Sequence, residues 1–310
     1  MADAIEVRGL VKRYDRVTAV DGISFAVPRG TVFAFLGPNG AGKTTTVEIL
    51  EGLRRRTDGE VRVLGLDPWD EGRTLHHQVG VIPQDFRFFE KITPREAIVY
   101  YRALFGTDVD PVELLTQVDL LDKADARFDS LSGGQKQKLG LALSLTNRPE
   151  ICFLDEPTTG LDPTARRAIW RVIRDLKSQG RTVFLTTHYL EEAELLSDRV
   201  AIIHHGRIIA AGTPAEIIRA HGRPPRVRVE APPALAEYLT RTLHVPARAE
   251  DGSVEVELAS PRDALRVLQA ADASGLPWGA VTTVQETLED VFVRLVGTMD
   301  DGALRGEAGG

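Results

Sequence analysis

Thr31-Val32-Phe33-Ala34-Phe35-Leu36-Gly37-Pro38-Asn39-Gly40-Ala41-Gly42-Lys43-Thr44 is the stretch from which the rest of the chain is read. Its first six residues are β-rich and apolar, they stop at a Gly-rich turn, and residues 44–53 then read as a helix. Gly-x4-Gly-Lys-Thr between a strand and a helix is a phosphate-binding P-loop. Its glycines let consecutive backbone N–H groups turn inward around phosphate oxygens, and the positive end of the helix adds to the same field. Lys43 is expected to reach the β- and γ-phosphates of ATP. Thr44 is expected to place its hydroxyl on Mg²⁺, a hard, small cation that prefers oxygen ligands, with Thr45 a second hydroxyl near the α-phosphate.

Outward from this loop, the first two thirds of the chain alternate short apolar runs with amphipathic helical stretches. That is the pattern of an α/β domain whose sheet is largely parallel. Residues 151–154 and 182–186 are buried-type strands, each ending in polar residues that belong at the carboxyl edge of the sheet. The first is followed by Asp155, Glu156 and Pro157, which delivers two carboxylates to the edge where the P-loop opens. Asp155 is expected to hold Mg²⁺ through water and Glu156 to polarise the attacking water.

Composition limits the alternatives. With 310 residues there is room for one large domain and a smaller one, and 38 Lys and Arg against 45 Asp and Glu leave no basic field to hold a polyanion. Nucleic acid is therefore not expected as a partner. Cys152 is the single cysteine, so no disulfide forms within the chain, and its apolar neighbours Ile151, Phe153 and Leu154 mark it as a small buried hydrophobe. Residues 1–6 lack the basic start and apolar stretch of a secretory signal, and no later run approaches the ~20 residues of a spanning helix. The chain is expected to stay in the cytosol.

Between Arg73 and Asp129 the pattern favours helices, read as a helical subdomain at about 85–145. Gly222-Arg223-Pro224-Pro225 is a stiffened link between a domain at 1–221 and another at 226–297. In the second domain, period-two stretches at 226–230 and 253–258, helical stretches at 234–243 and 261–271, and strands at 245–249 and 279–284 give the order β-α-β-β-α-β. That order matches a ferredoxin-like split motif. Residues 287–296 read as an appended helix and 298–310 as a flexible tail.

Leu131-Ser132-Gly133-Gly134-Gln135 resembles the signature motif of ABC ATPases. Ser132 and two glycines at a helix start offer a hydroxyl and open N–H groups to an anion, and the resemblance implies that this anion is ATP held by a second copy of the chain. Other motifs follow in the order of that family. Gln84, after Val81-Ile82-Pro83, is similar to the Q-loop, Gly160-Leu161-Asp162 to the D-loop, and His188, after Leu185-Thr186-Thr187, to the switch histidine. By this resemblance Gln84 contacts Mg²⁺ and the attacking water, Asp162 couples two sites across a homodimer, and His188 touches the γ-phosphate. Tyr14 stands where the family has an aromatic that stacks on adenine. The likeness covers residues 4–220 in detail and is greatest to the subfamily that powers ABC-2 type exporters, which includes drug-resistance members. Its closing helix is similar to Thr287-Leu288-Glu289-Asp290-Val291-Phe292-Val293-Arg294-Leu295. It implies an ATPase held peripherally at the cytoplasmic face of the membrane by an integral membrane permease. Lys136 and Lys138, where Gln or Arg is usual, are a mild departure.

The stretch Asp85-Phe86-Arg87-Phe88-Phe89-Glu90 departs more, in the region that receives the membrane subunit in the family. Phe86, Phe88 and Phe89 read either as a socket for a helix of that subunit or as core. Arg54-Arg55-Arg56 reads as a solvated helix end or as a contact for lipid phosphates, and Trp69 and Trp170 as packing. The C-terminal domain carries no evident nucleophile, metal cluster or phosphate loop, and is expected to help two copies stay associated without ATP. The rival reading is a soluble ABC ATPase acting on ribosomes or DNA. One P-loop, one signature and no sustained heptads speak against it, and the filled hydrolytic positions speak against a non-catalytic nucleotide sensor.

Overall fold

The computed structural model describes residues 3–84 and 86–307. Two compact units divide the chain, Met1–Pro214 and Ala215–Gly310.

In the first unit, β1 (Asp3–Tyr14) and β2 (Val17–Pro28) are followed by β3 (Val32–Leu36), α1 (Lys43–Leu50) and β4 (Asp58–Val63). Next come α2 (Gly72–His76), β5 (Val79–Ile82), α3 (Pro94–Phe105), α4 (Pro111–Gln117) and α5 (Gly133–Ser144). The unit continues with β6 (Ile151–Asp155), α6 (Pro163–Ser178), β7 (Thr182–Thr187), α7 (Leu190–Leu196), β8 (Arg199–His204) and β9 (Arg207–Gly212). Strands β2-β1-β4 make an antiparallel sheet, and a six-stranded sheet has the order β5-β6-β7-β3-β8-β9. All pairings in the larger sheet are parallel except β8 with β9.

The parallel strands are apolar on both faces because both are covered. Phe33, Phe35, Ile151, Phe153 and Phe184 point into a core shared with Ile5, Leu10, Val20 and Val61 of the antiparallel sheet. Val32, Cys152, Leu154, Val183 and Leu185 point the other way, against Ile98, Leu115, Leu139 and Ile173 of the helices. Phe184 lies at the centre of the aromatic packing, 5.5 Å from Phe33 and 5.7 Å from Phe153 between ring centroids. Cys152 is fully buried and burial pushes its thiol up to about 12, so it remains a protonated apolar filler.

Three local expectations change. The helix after the P-loop ends at Leu50, short of residue 53, because Gly52 turns the chain at φ +74°. Strand β5 lies inside the segment read as helical, since a four-residue run shows no usable period and only its pairing with β6 identifies it. Trp170 is buried as expected, but Trp69 is 45% exposed.

In the second unit, α8 (Pro214–His221) precedes β10 (Arg226–Glu230), α9 (Ala234–Leu243), β11 (Ala247–Glu250), β12 (Ser253–Glu257), α10 (Ala264–Ala273), β13 (Val281–Val284) and α11 (Leu288–Glu307). The sheet order is β11-β12-β10-β13 with every pair antiparallel, the order that the split βαβ motif requires. Val227, Val229, Val254 and Val256 bury one sheet face against Leu235 and Leu239 of α9 and Val267 and Ala271 of α10. The boundary falls ahead of the expected link at 222–225. Residues 221–223 are tied into the second unit, with Arg294 Nη1 donating to the His221 carbonyl at 2.6 Å and the Arg223 N–H donating to Glu286 Oε2 at 2.8 Å. Helix α11 continues beyond residue 296 to Glu307, and residues 308–310 of the expected tail lie outside the described residues, as does Asp85.

Candidate active site

Four parallel strands end on one edge, and each hands the chain to a loop that carries expected site residues. β3 is followed by Gly37, β5 by Gln84, β6 ends on Asp155 before Glu156, and β7 precedes His188. The register sets Asp155 beside Thr186, so the carboxylates and the histidine loop are neighbours by strand pairing alone.

The P-loop is shaped by close backbone approach. A Cβ on Gly42, whose φ is +107°, would stand 2.4 Å from the Ala19 carbonyl oxygen. Only glycine fits there. Gly42 is also the N-cap of α1 and supplies no side-chain cap, which leaves the first N–H groups of the helix directed at the loop. Lys43 is 6% exposed, and its ammonium donates to the Gly37 carbonyl at 2.7 Å and the Pro38 carbonyl at 3.2 Å. Burial lowers its pKa, an effect opposed by the nearby Glu156 and Asp155 carboxylates. Thr44 is exposed and Thr45 half-buried.

Glu156 is where the loops meet. It is 8% exposed, with backbone φ +47°, a left-handed conformation that costs a residue with a side chain of order 1–3 kcal/mol. Its Oε2 accepts from Gln84 Nε2 at 3.1 Å and Thr159 Oγ1 at 3.0 Å, and His188 Nδ1 lies 3.1 Å away. Its Oε1 is 3.9 Å from Lys43 Nζ. The strained backbone is held by the Glu156 N–H donating to Thr186 Oγ1 at 3.0 Å, while that same hydroxyl donates to Asp155 Oδ1. Burial raises the Asp155 pKa, and the Thr186 bond works against the rise. A carboxylate carrying several donors beside a lysine can orient water and accept its proton.

The chain thus brings Lys43, Gln84, Asp155, Glu156 and His188 together next to the loop. The signature motif is placed otherwise. Ser132 is the N-cap of α5 in a capping box: its Oγ accepts from the Gln135 N–H and the Gln135 side chain accepts from the Ser132 N–H. Leu131 is buried, Ser132 and Gly133 are exposed, and a Cβ on Gly134 would stand 2.8 Å from Ala165 Cβ, so this glycine lets α5 close on α6. Among the described residues no hydrogen bond, ion pair or ring contact joins 131–135 to 37–45. Asp162 caps α6, its carboxylate accepting from the Thr164 and Ala165 N–H groups at 2.9 and 3.0 Å. The Tyr14 ring, at the end of β1, lies 4.8 Å from Lys12 Nζ and 5.3 Å from Arg54 Cζ.

Two open readings narrow. Phe86 and Phe88 pack on the helical core beside Phe128, whereas Phe89 is 63% exposed. Arg54 pairs with Glu48 and Arg56 grips Asp67 with two nitrogens, so the basic run is largely spent on internal carboxylates. Thr159 and Thr186 belong to the site but did not emerge from the sequence reading. Their signal was the hydroxyl following Glu156-Pro157-Thr158 and the hydroxyl pair before His188, each of which also suits an ordinary loop or strand end.

Fold and site together define a P-loop ATPase whose signature helix stands apart from its own phosphate loop. Residues 20–159 match the ABC transporter family. The chain is 37% identical over 307 residues to the daunorubicin/doxorubicin resistance ATP-binding protein DrrA of Streptomyces peucetius, covering 95% of this chain and 92% of that protein. It is 39% identical over 302 residues to the Nod factor export ATP-binding protein I of Paraburkholderia xenovorans, covering 95% and 97%. A solved ATP binding subunit of an ABC transporter superposes with a TM-score of 0.65 at 30% identity, over 71% of this chain and 93% of that one. The chain belongs to the ABC transporter family as an ATP-binding subunit, and its activity is ATP hydrolysis. Among the described residues no helix is long and apolar enough to cross a membrane.

Proposed function

We propose that two copies of this chain close head to tail on two ATP molecules and drive an integral membrane permease through an export cycle, at the cytoplasmic face of the membrane. The carrying observation is the separation of the half-sites: an exposed Ser132-Gly133 start of α5 without a link to the P-loop of its own chain. A helix start that offers N–H groups and a hydroxyl suits a phosphate supplied by another copy. In the closed pair Gly37 to Thr45 cradle the phosphates of one ATP, Tyr14 stacks on its adenine, and the partner copy's motif covers the γ-phosphate, with Asp162 between the two sites.

Glu156 takes the proton of the attacking water, while His188 and Gln84 hold the carboxylate in place and face the γ-phosphate. The exposed Thr44 hydroxyl, the Asp155 carboxylate and the Gln84 amide form an all-oxygen donor set of the kind that suits Mg²⁺. When bound, Mg²⁺ neutralises charge on the β- and γ-phosphates. For the permease we assign the cavity of about 430 Å³ bounded by Glu51, Leu53, His76, Val81, Tyr101 and Phe105, which adjoins the segment leading to Gln84. Leu53 at the cavity and Tyr100 and Leu104 of α3, the helix that gives it Tyr101 and Phe105, are exposed apolar side chains, as is Phe89. The export direction is carried over from the relative named for Nod factor export.

Co-purification from detergent-solubilised membranes tests this reading. A polytopic membrane protein retained by the wild type and lost in a Leu53→Asp/Leu104→Asp variant supports it, whereas retention of ribosomes or DNA instead would overturn it.

A further inference from the structure

The motif residues leave a contact chain beside the site unexplained. The His188 and Tyr189 rings lie 4.2 Å apart between centroids, inclined at 37°. The Arg166 guanidinium sits over the Tyr189 ring, with Cζ 4.1 Å from its centroid. Among the described residues Arg166 Nε is buried without a hydrogen-bond partner, so the ring face supplies what a hydrogen bond would otherwise give, as suits a weakly hydrated planar cation. Glu192 is fully buried nearby, and burial raises its pKa against the opposing pull of its hydrogen bonds and of Arg166; it accepts from Thr158 Oγ1 at 3.1 Å and Trp170 Nε1 at 2.8 Å. Arg166 belongs to the first turn of α6: its N–H donates to the Asp162 carbonyl at 2.9 Å, and its neighbour Ala165 faces Gly134.

We infer that Tyr189 and Arg166 are positioning residues that set the His188 ring against Glu156 and tie it to the α6 turn carrying Asp162. His188 is a side chain 41% exposed, held to Glu156 by one nitrogen. A single bond leaves ring rotation free, and the stack removes that freedom. The signature helix and Asp162 of a chain face the nucleotide bound by the other copy under the proposed dimer. The stack therefore joins the turn that meets one ATP to the histidine that serves the other. The positioning role itself requires only the hydrolysis of ATP, and its test does not depend on the permease.

The experiment is steady-state ATP turnover of the full chain, with the His188 imidazole resonance followed by NMR on histidine-labelled protein and assigned by its loss in His188→Gln. Tyr189→Leu and Arg166→Met are expected to lower kcat about 5- to 20-fold with KM for ATP within about twofold. The double variant should be no worse than the poorer single one, because both remove one stack. Tyr189→Phe, which keeps the ring, should retain kcat within about twofold. The His188 resonance should carry a ring-current shift that Tyr189→Leu abolishes and Tyr189→Phe preserves. Should Tyr189→Leu fail to fold, Arg166→Met and Tyr189→Phe decide through the same two readouts. An unchanged kcat and unchanged His188 resonance in Arg166→Met, or a Tyr189→Phe enzyme as impaired as Tyr189→Leu, overturns the inference.

Discussion

The P-loop edge and the start of α5 both present polar residues to phosphate, but they are built by opposite means. At the P-loop edge Lys43 and Glu156 are nearly buried, the Glu156 backbone is strained, and three other loops converge on its carboxylate. At the start of α5, Ser132 and Gly133 are exposed, and their order comes from a capping box closed between Ser132 and Gln135. The first region is assembled by long-range packing before any partner arrives. The second is assembled locally, and among the described residues no hydrogen bond, ion pair or ring contact joins it to the P-loop of its own chain. Desolvated, prepaid order suits the place where charge develops, and a rigid exposed knob suits a surface that docks and leaves.

The comparison breaks most visibly at Glu156. Glu156→Gln keeps the volume and loses the proton acceptor, so turnover should fall by about 10²–10⁴, while ATP still binds. Size-exclusion chromatography with ATP should then show a stable dimer, and a variant that turns over normally would contradict the assignment. The next test mixes the two regions. Lys43→Ala and Ser132→Arg, each expected to lose about 100-fold in turnover alone, should regain measurable activity when mixed, because a mixed dimer has one site with both halves intact. If the mixture is as inactive as its components, the half-sites do not combine across copies.

Thr186 sharpens the contrast, since its hydroxyl serves Asp155 and the strained Glu156 backbone together. Thr186→Val should cost about tenfold in kcat, the worth of one or two buried hydrogen bonds, and Thr186→Ser should restore most of it. A Val variant with full activity would show that the strand pairing alone holds the loop.

The smallest effect concerns the far end of α1. Burial, reinforced by Asp155 and Glu48, raises the Glu51 carboxyl to about 8. The folded state thus holds a proton that the unfolded state releases near pH 4.5, so Glu51 reduces stability progressively as pH rises from about 4.5 to about 8. Glu51→Gln should raise the melting temperature at pH 8 by several degrees, at about 2–4 °C per kcal/mol for a unit of this size. The gain should vanish near pH 4.5, and a gain independent of pH would assign it to packing instead.

Where the chemistry depends on spacing along the chain, the sequence was sufficient. Gly37 to Thr44 needs a strand, a turn without side chains and a helix start in immediate succession, and all three are local. The same holds for Ser132 to Gln135, whose reciprocal cap joins residues three positions apart. The order β-α-β-β-α-β in residues 226–284 was also legible, because period-two and helical stretches alternate there without long loops. Tertiary structure alone decided the rest. Thr159 and Thr186 reach the site only because β6 and β7 pair in the register that sets Asp155 beside Thr186. Phe86 and Phe89, three residues apart, went to core and solvent according to what Phe128 and Gly140 offered across the fold. The Arg166, Tyr189 and His188 contacts likewise join two segments that no local pattern connects. Sequence determines what a residue can do within a turn of its neighbours, whereas distance, burial and charge environment are properties of the packed chain.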